Sequence, residues 1–298
     1  MRPFHILLGI LTAAIWGFNF VVLKVALVDV PPILLTALRF ILSCLPILFF
    51  PKPKGMTWKA MAIVGLTTFL GQYVFLFIAL KQGMPAGLSS VTLQLQVFVT
   101  ILFSMVFLGE KPKPRQMIGG AIALAGLGLI ASTVGAGSTI PAIAMVCIVL
   151  AAVTWAYGNF TMRQSGPDAQ FGTLAGVAWV STIPILPALA LSLIFEGVGS
   201  WQGAAEHIRP ISAAAILYTV VLSTWLGFAI WGRLLSTYTA SIAAPFALLV
   251  PVFGGLSAFV FLGEILTPLR LAGSLLIFLG LMVILLPVQK LWAAKQTA

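Results

Sequence analysis

Long apolar runs of nearly uniform length follow one another along the chain, separated by short polar breaks. Windows that are apolar almost end to end recur at about residues 4 to 26, 31 to 50, 58 to 80, 85 to 108, 116 to 133, 140 to 162, 171 to 195, 210 to 232, 239 to 262 and 268 to 288. A helix of about 20 residues crosses a hydrocarbon core about 30 Å thick, so each window predicts one transmembrane helix. The runs are continuous, whereas barrel strands alternate apolar and polar residues in units of about ten. The first run is too long for a signal-peptide core and ends at Lys24 rather than at small residues, so it reads as a mature span. The expected fold is an all-α membrane protein of ten transmembrane helices.

The pattern is also written twice. VFLGEKPKPRQMIGGAIALAGL (106 to 127) aligns without a gap on VFLGEILTPLRLAGSLLIFLGL (260 to 281), matching Pro114 with Pro268, Gly119 with Gly273 and Gly126 with Gly280. AAIWGFNF (13 to 20) recurs, with insertions, as AAVTWAYGNF (151 to 160), pairing Trp16 with Trp155 and Asn19 with Asn159. Self-similarity of this kind marks a repeat. Two five-helix units are expected, at 4 to 133 and 140 to 288. An odd number of spans inserts the second unit upside down, and inverted repeats are an architecture of secondary transporters that bind substrate near the midplane.

Composition narrows the picture. The chain is 61% hydrophobic and 7% charged, against about a quarter charged in soluble domains, which excludes a soluble fold. Its net charge of +10 comes from Lys and Arg scattered at helix ends rather than gathered into a basic domain, so nucleic acid is not an expected partner. With alternating spans, eleven cations fall on the side of the N-terminus and four, Lys24, Lys81, Arg209 and Arg270, on the other. The positive-inside rule then places both termini in the cytoplasm. Cys44 and Cys147 lie within apolar runs and read as small hydrophobes, not as a disulfide.

Polar residues inside the runs are the candidate chemistry. Trp16 and Asn19 lie mid-helix about 60° apart on the wheel, with Thr12 beside Asn19. An Asn at that depth either ties helices together or lines a cavity, and its recurrence as Asn159 fits both. Ser89, Thr92, Gln96 and Thr100 form a stripe within roughly 80° of arc along the fourth run, while Gln94 points away and reads as packing. Thr68, Gln72 and Tyr73 come from the third run, and Tyr218, Thr219, Ser223 and Trp225 from the eighth. Trp16, Trp155 and Tyr73 are too deep for interface anchors, a role that suits Trp58, Trp201 and Trp292. Arg39 is an intramembrane charge, either satisfied by backbone carbonyls or a counter-charge for a carboxylate; Lys24 can snorkel. Pro245 and Pro251 in APFALLVPVFGGL, with Pro184 and Pro187 in the seventh run, are candidate gating bends or structural kinks. Gly119, Ala123 and Gly126, with Gly273 and Gly280, read as close-packing faces.

No acidic residue lies in a span core, which argues against a cation/proton antiporter and leaves positive charge free for anionic or zwitterionic solutes. His5 and His207 sit at span ends, so an intramembrane enzyme is not expected, nor is a metal or other cofactor.

WGFNF with Lys24, PPILLTALRF with Arg39, GMPAGLSS, APFALLVPVFGGL and the two FLGE strings resemble the drug/metabolite transporter superfamily, EamA-type, over the whole chain. GMPAGLSSVTLQLQVF is most similar to the exporters of cysteine, O-acetylserine and related amino-acid metabolites; around Gln96 to Phe98 it lacks the proline that would match Pro251. The resemblance implies ten helices in two EamA repeats, a multi-pass location in the bacterial inner membrane, and export of small metabolites. The sequence reading is therefore an exporter of amino acids or related zwitterions working by alternating access. Its candidate binding residues are Trp16, Asn19, Lys24, Arg39, Gln72, Tyr73, Ser89, Thr92, Gln96, Trp155 and Asn159, with Pro245 and Pro251 as gates. The expected partners are a small-molecule substrate and the lipid bilayer, and a homo-oligomer stays open. The alternatives are a nucleotide-sugar or triose-phosphate type carrier, which needs cavity cations in both halves, and a non-transporting assembly protein.

Overall fold

The structure, a computed structural model, describes residues 1–82, 89, 91–132, 141–263 and 267–285. Glu264, the stretch 83–88, Lys290, Trp292 and Lys295 lie outside the described residues. Helix occupies every apolar window. The first half comprises α1 (Pro3–Ala26), α2 (Pro32–Ser43), α3 (Trp58–Val64), α4 (Gln72–Lys81), α5 (Leu95–Leu108) and α6 (Pro114–Ser132). The second comprises α7 (Ala142–Ser165), α8 (Leu174–Ser181), α9 (Ile185–Phe195), α10 (Gly197–His207), α11 (Pro210–Tyr218), α12 (Ala229–Thr237), α13 (Ala240–Ala243), α14 (Val250–Leu262) and α15 (Pro268–Leu285). Five runs among the described residues are long and apolar enough to cross a bilayer alone, and six if α8 and α9, bent by 41°, count as one.

Several windows are broken where the pattern predicts one straight helix. Pro184 ends α8 and precedes α9, since proline cannot donate the hydrogen bond that would continue the helix. The third run passes from α3 to α4 through a π-helical stretch, Gly65–Gly71, and the eighth passes from α11 to α12 through another, Thr219–Phe228. In the FLGE register Gly65 falls on Thr219, so the two π stretches begin at matching positions. Wide π turns re-aim carbonyls and side chains and recur at functional sites. The polar segment after α9 reads as a loop but forms α10, whose Ala204 and Trp201 pack beside Val30 and Leu34 and whose Trp201 Nε1 donates to Ser192 Oγ at 2.9 Å. Its low apolar content hid it from the window pattern.

Each half also ends its fourth run alike. Gly109 (φ 65°) and Gly263 (φ 68°) adopt the left-handed conformation that closes α5 and α14, a backbone position glycine fills without a Cβ penalty. The Glu110 carboxylate then accepts from Arg163 Nε at 2.7 Å and from the Ala240 amide at 2.9 Å, joining the ends of α5 and α7 to the start of α13.

Both α1 and α7 are 24 residues long. Laying Pro3 on Ala142 places Trp16 on Trp155, but Phe20, not Asn19, on Asn159. The environments agree: a Cβ at Gly254 would lie 3.8 Å from Phe20 Cδ2, and at the matching position Thr100 Oγ1 lies 3.3 Å from Asn159 Nδ2. The sequence pairing of Asn19 with Asn159 is thus off by one, because the two helices run the same length with no insertion between the tryptophan and the asparagine.

α6 and α15 pack antiparallel through glycine. A Cβ at Gly119 would lie 2.5 Å from the Gly280 carbonyl oxygen, and one at Gly126 would lie 2.5 Å from that of Gly273. The reverse contacts are equally close, at 2.5 Å from Gly280 to Gly119 and 2.6 Å from Gly273 to Gly126. Exchanging the repeats turns this contact set into itself, which is the mark of a two-fold axis across the helix pair.

Asp29, in the turn after α1, accepts from Arg209 Nε at 2.9 Å, from the Arg209 amide at 3.1 Å and from Ser212 Oγ at 2.6 Å, tying that turn to the start of α11. The Arg209 hydrogen bond, followed by that from Ser212, holds the Asp29 carboxyl down at about 2. A depressed carboxyl contributes stability above its unfolded value and loses it as the pH falls through the folded one. Asp29→Asn should therefore lower the melting temperature equally at pH 7 and pH 5 and lose that effect near pH 2. A penalty already shrinking at pH 5 would contradict the assignment.

Candidate functional site

Where α1, α4, α7 and the second π stretch meet, the packing leaves a cavity of about 50 Å³, room for a few waters. Trp16, Asn19 and Phe20 reach it from α1 and Trp155 from α7. Gln72 and Tyr73 enter directly after the first π stretch, and Ser223 and Phe228 come from the second. Leu93 and Gln94 occupy a turn that interrupts the fourth run just before α5, and Val250 starts α14.

The two tryptophans are repeat partners and meet edge to face, with ring centroids 5.7 Å apart, so they stand close to the axis relating the halves. Trp16 also contacts Phe228 at 5.1 Å and Trp231 at 5.3 Å, giving the cavity an aromatic wall. Its indole Nε1 donates to the Ser223 carbonyl at 3.1 Å. Gly227 makes that approach feasible, since a Cβ there would sit 2.6 Å from Trp16 Nε1. Gly17 has the matching role on the face of α1 that packs against α14, where a Cβ would lie 2.5 Å from Phe253 Cβ. The grouping of Trp, Gly and Asn in WGFNF thus serves two helix contacts and the cavity wall: Trp16 meets the second π stretch, Gly17 meets α14 and Asn19 faces the cavity.

Arg39 stands behind the wall, 2% exposed. Its Nε donates to Thr224 Oγ1 at 2.7 Å, one Nη to Ser223 Oγ at 3.2 Å and the other to the Tyr73 hydroxyl. The guanidinium carbon lies 4.9 Å from the Tyr73 ring centroid and 5.6 Å from that of Phe40. Every one of these partners is neutral. Thr224 in turn donates to the Thr219 carbonyl five residues back, at 2.7 Å, an acceptor that the π turn presents. A buried charge without a counter-ion costs several kcal/mol. Here two of the residues that bond Arg39, Tyr73 and Ser223, also line the cavity. Three more cavity groups are unsatisfied: Asn19 Oδ1, Gln72 Oε1 and Trp155 Nε1 are buried without partners. Buried polar atoms normally find partners, so the cavity offers acceptors, a donor and a nearby positive field to an incoming polar solute.

Of the residues expected from sequence, Trp16, Asn19, Gln72, Tyr73 and Trp155 converge on the cavity, and Arg39 sits behind it. Lys24 is exposed in the last turn of α1, away from the wall. Ser89 is buried and Thr92 half-buried, neither on the wall. Gln96 and Asn159 are bonded to each other elsewhere, Asn159 Nδ2 donating to Gln96 Oε1 at 2.9 Å. The continuous stripe from Ser89 to Thr100 does not exist, because the turn at Leu93 and Gln94 rotates one part of the run against the other. That turn brings Gln94, read as packing, onto the cavity. The signal was in the second copy: Pro251 restarts a helix there as its second residue, marking the same depth for a break in the first. Pro245 lies in a buried 3₁₀ stretch, Ala244–Leu249, just before it. Among the described residues no cluster of three His, Cys, Asp or Glu side chains could hold a metal.

A small, mostly apolar cavity carrying a few buried polar atoms, between two related halves of apolar helices, is an arrangement that suits a membrane transporter. The chain matches the EamA-like transporter family over residues 3–132 and 142–286, and it belongs to that family. It is 38% identical to a "Probable amino-acid metabolite efflux pump" of Salmonella typhimurium and 35% identical to one of the same name from Escherichia coli, covering 92% of each chain in both cases. A "Probable terminal-alkyne amino-acid exporter" of Streptantibioticus cattleyicolor is 27% identical over 78% of this chain and 75% of that protein. A solved crystal structure superposes with a TM-score of 0.76 over 98% of this chain and 99% of that one, at 19% identity, and so shares the fold.

Proposed function

We propose that this protein is a secondary transporter that exports amino acids or related small zwitterionic or anionic metabolites across the bacterial inner membrane by alternating access, without covalent chemistry. Ten transmembrane helices with cytoplasmic termini would carry it, the shorter helices crossing as tilted or broken spans. The observation that bears the reading is Arg39, a buried guanidinium whose hydrogen-bond partners are all neutral and which touches two residues of the cavity wall. A carboxylate entering beside Tyr73 and Ser223 supplies the missing counter-charge, with Trp155 Nε1 as a further donor. The amide oxygens of Asn19 and Gln72 can accept from an ammonium group. A cavity of about 50 Å³ is too small to hold such a solute as it stands, so binding must widen it, as alternation between two states requires. The names carried by the relatives at 35% and 38% identity support the same class of substrate.

The test is counterflow with purified protein in liposomes. Vesicles preloaded with unlabelled serine, alanine or cysteine should take up the labelled amino acid saturably, and vesicles loaded with sugar phosphates should not. Exchange of sugar phosphates without exchange of amino acids would overturn the substrate class.

A further inference from the structure

One difference between the two halves falls on the cavity. In the cluster around Asn159, Nδ2 donates to Gln96 Oε1 at 2.9 Å and to Thr100 Oγ1 at 3.3 Å, while Trp231 Nε1 donates to Asn159 Oδ1 at 2.8 Å. All four side chains are essentially inaccessible. The cluster joins α5 of the first repeat to α7 and α12 of the second.

The repeat registers, set by the FLGE corners and by the equal lengths of α1 and α7, map Gln96, Thr100, Asn159 and Trp231 onto Val250, Gly254, Phe20 and Phe77. All four twins lack a hydrogen-bonding side chain, and two of them, Phe20 and Val250, line the cavity. The polar cluster therefore closes the position that, on the other side of the axis, stands open. Three further twins are closed in as well: Ala247, Leu248 and Met162, which match the cavity residues Leu93, Gln94 and Leu23, are buried.

We propose that Gln96, Thr100, Asn159 and Trp231 form a latch over a second, mirror-image substrate position, which opens toward the opposite side of the membrane when the cavity described above closes. The proposal rests on the alternating-access reading and adds to it where the other site lies and what it offers. The ligand class is unchanged, an amino acid or similar small zwitterion. The contacts differ: the second position presents the amides of Gln96 and Asn159 where the first presents Val250 and Phe20. Gln96 Nε2, buried without a partner while the latch is shut, is a donor held ready for a carboxylate. Opening this side breaks the latch hydrogen bonds, for which the twin side chains at Val250, Gly254, Phe20 and Phe77 have no counterpart, so the latch also makes the conformer seen here the resting one. Buried polar pairs are well suited to this, because a lost partner leaves the other group unsatisfied.

The test reads accessibility rather than transport. In a background with Cys44→Ala and Cys147→Ala, a single reporter is introduced as Leu23→Cys, on the present cavity, or as its twin Met162→Cys, and labelled with a small maleimide. With the latch intact, Leu23→Cys labels quickly and Met162→Cys slowly. Gln96→Val, which installs the twin residue, should raise labelling at Met162→Cys about fivefold and lower it at Leu23→Cys, the shift expected from losing one net hydrogen bond. Trp231→Phe, which removes only the indole donor, should move both rates the same way. Unchanged rates in both variants, with monodisperse protein and unchanged melting, would overturn the latch. The two readings separate cleanly. Shifted labelling without amino-acid exchange keeps the latch and removes the substrate assignment, and exchange without shifted labelling does the reverse.

Discussion

Arg39→Gln should reduce amino-acid counterflow in liposomes by about 10- to 100-fold, the range for losing one hydrogen bond to a charged group, about 1.5–3 kcal/mol. The residue keeps a planar polar head that can still reach Thr224 or Ser223, but the positive field at the cavity wall is gone. Stability should move the other way or stay level, because the variant removes a buried charge that has only neutral partners. That opposition separates the two readings of Arg39. If it merely braced α2 against the second π stretch, Arg39→Gln would lower the melting temperature and flux together. Arg39→Lys should fall between, retaining charge without the fork that reaches Thr224, Tyr73 and Ser223 at once. Full flux in Arg39→Gln would sink the carboxylate site.

Gly126→Val should destabilise the protein by about 1–3 kcal/mol, the usual range for overpacking, and by more if the backbones cannot separate. The added Cβ would fall 2.5 Å from the Gly273 carbonyl oxygen and 2.9 Å from Leu276 Cβ, so the neighbour that must move is main chain. Because the contact is reciprocal, Gly273→Val should cost a similar amount, and the two together less than their sum once the helices have been pushed apart. Gly120→Val is the control, since a Cβ there meets nothing within 4 Å. Thermal unfolding in detergent compares the three. Equal melting temperatures for Gly120→Val and Gly126→Val would show that α6 and α15 do not depend on that approach.

Much of this protein could be read from its sequence. Apolar run length placed helix in every window, because a bilayer fixes how long an apolar helix must be. The glycines of α6 and α15 marked close helix packing, which depends on a missing Cβ, whereas the left-handed caps at Gly109 and Gly263 came from the structure. Trp16, Asn19, Gln72, Tyr73 and Trp155 stood out as polar or amphipathic groups at bilayer depth, and they do meet at one cavity.

Tertiary structure alone decided which face of a broken helix looks inward. Gln94 and Gln96 are two residues apart, and the straight-helix wheel chose Gln96 for the cavity, whereas the turn at Leu93 and Gln94 sends Gln94 there and Gln96 to Asn159. Periodicity carries a face assignment only as far as the helix runs unbroken, and a π stretch or a turn shifts the phase without any mark in composition. The asymmetry between the halves was hidden for a related reason. Whether Asn159 finds partners while Asn19 Oδ1 does not depends on atoms brought together from distant helices, and no local pattern along one chain encodes that meeting.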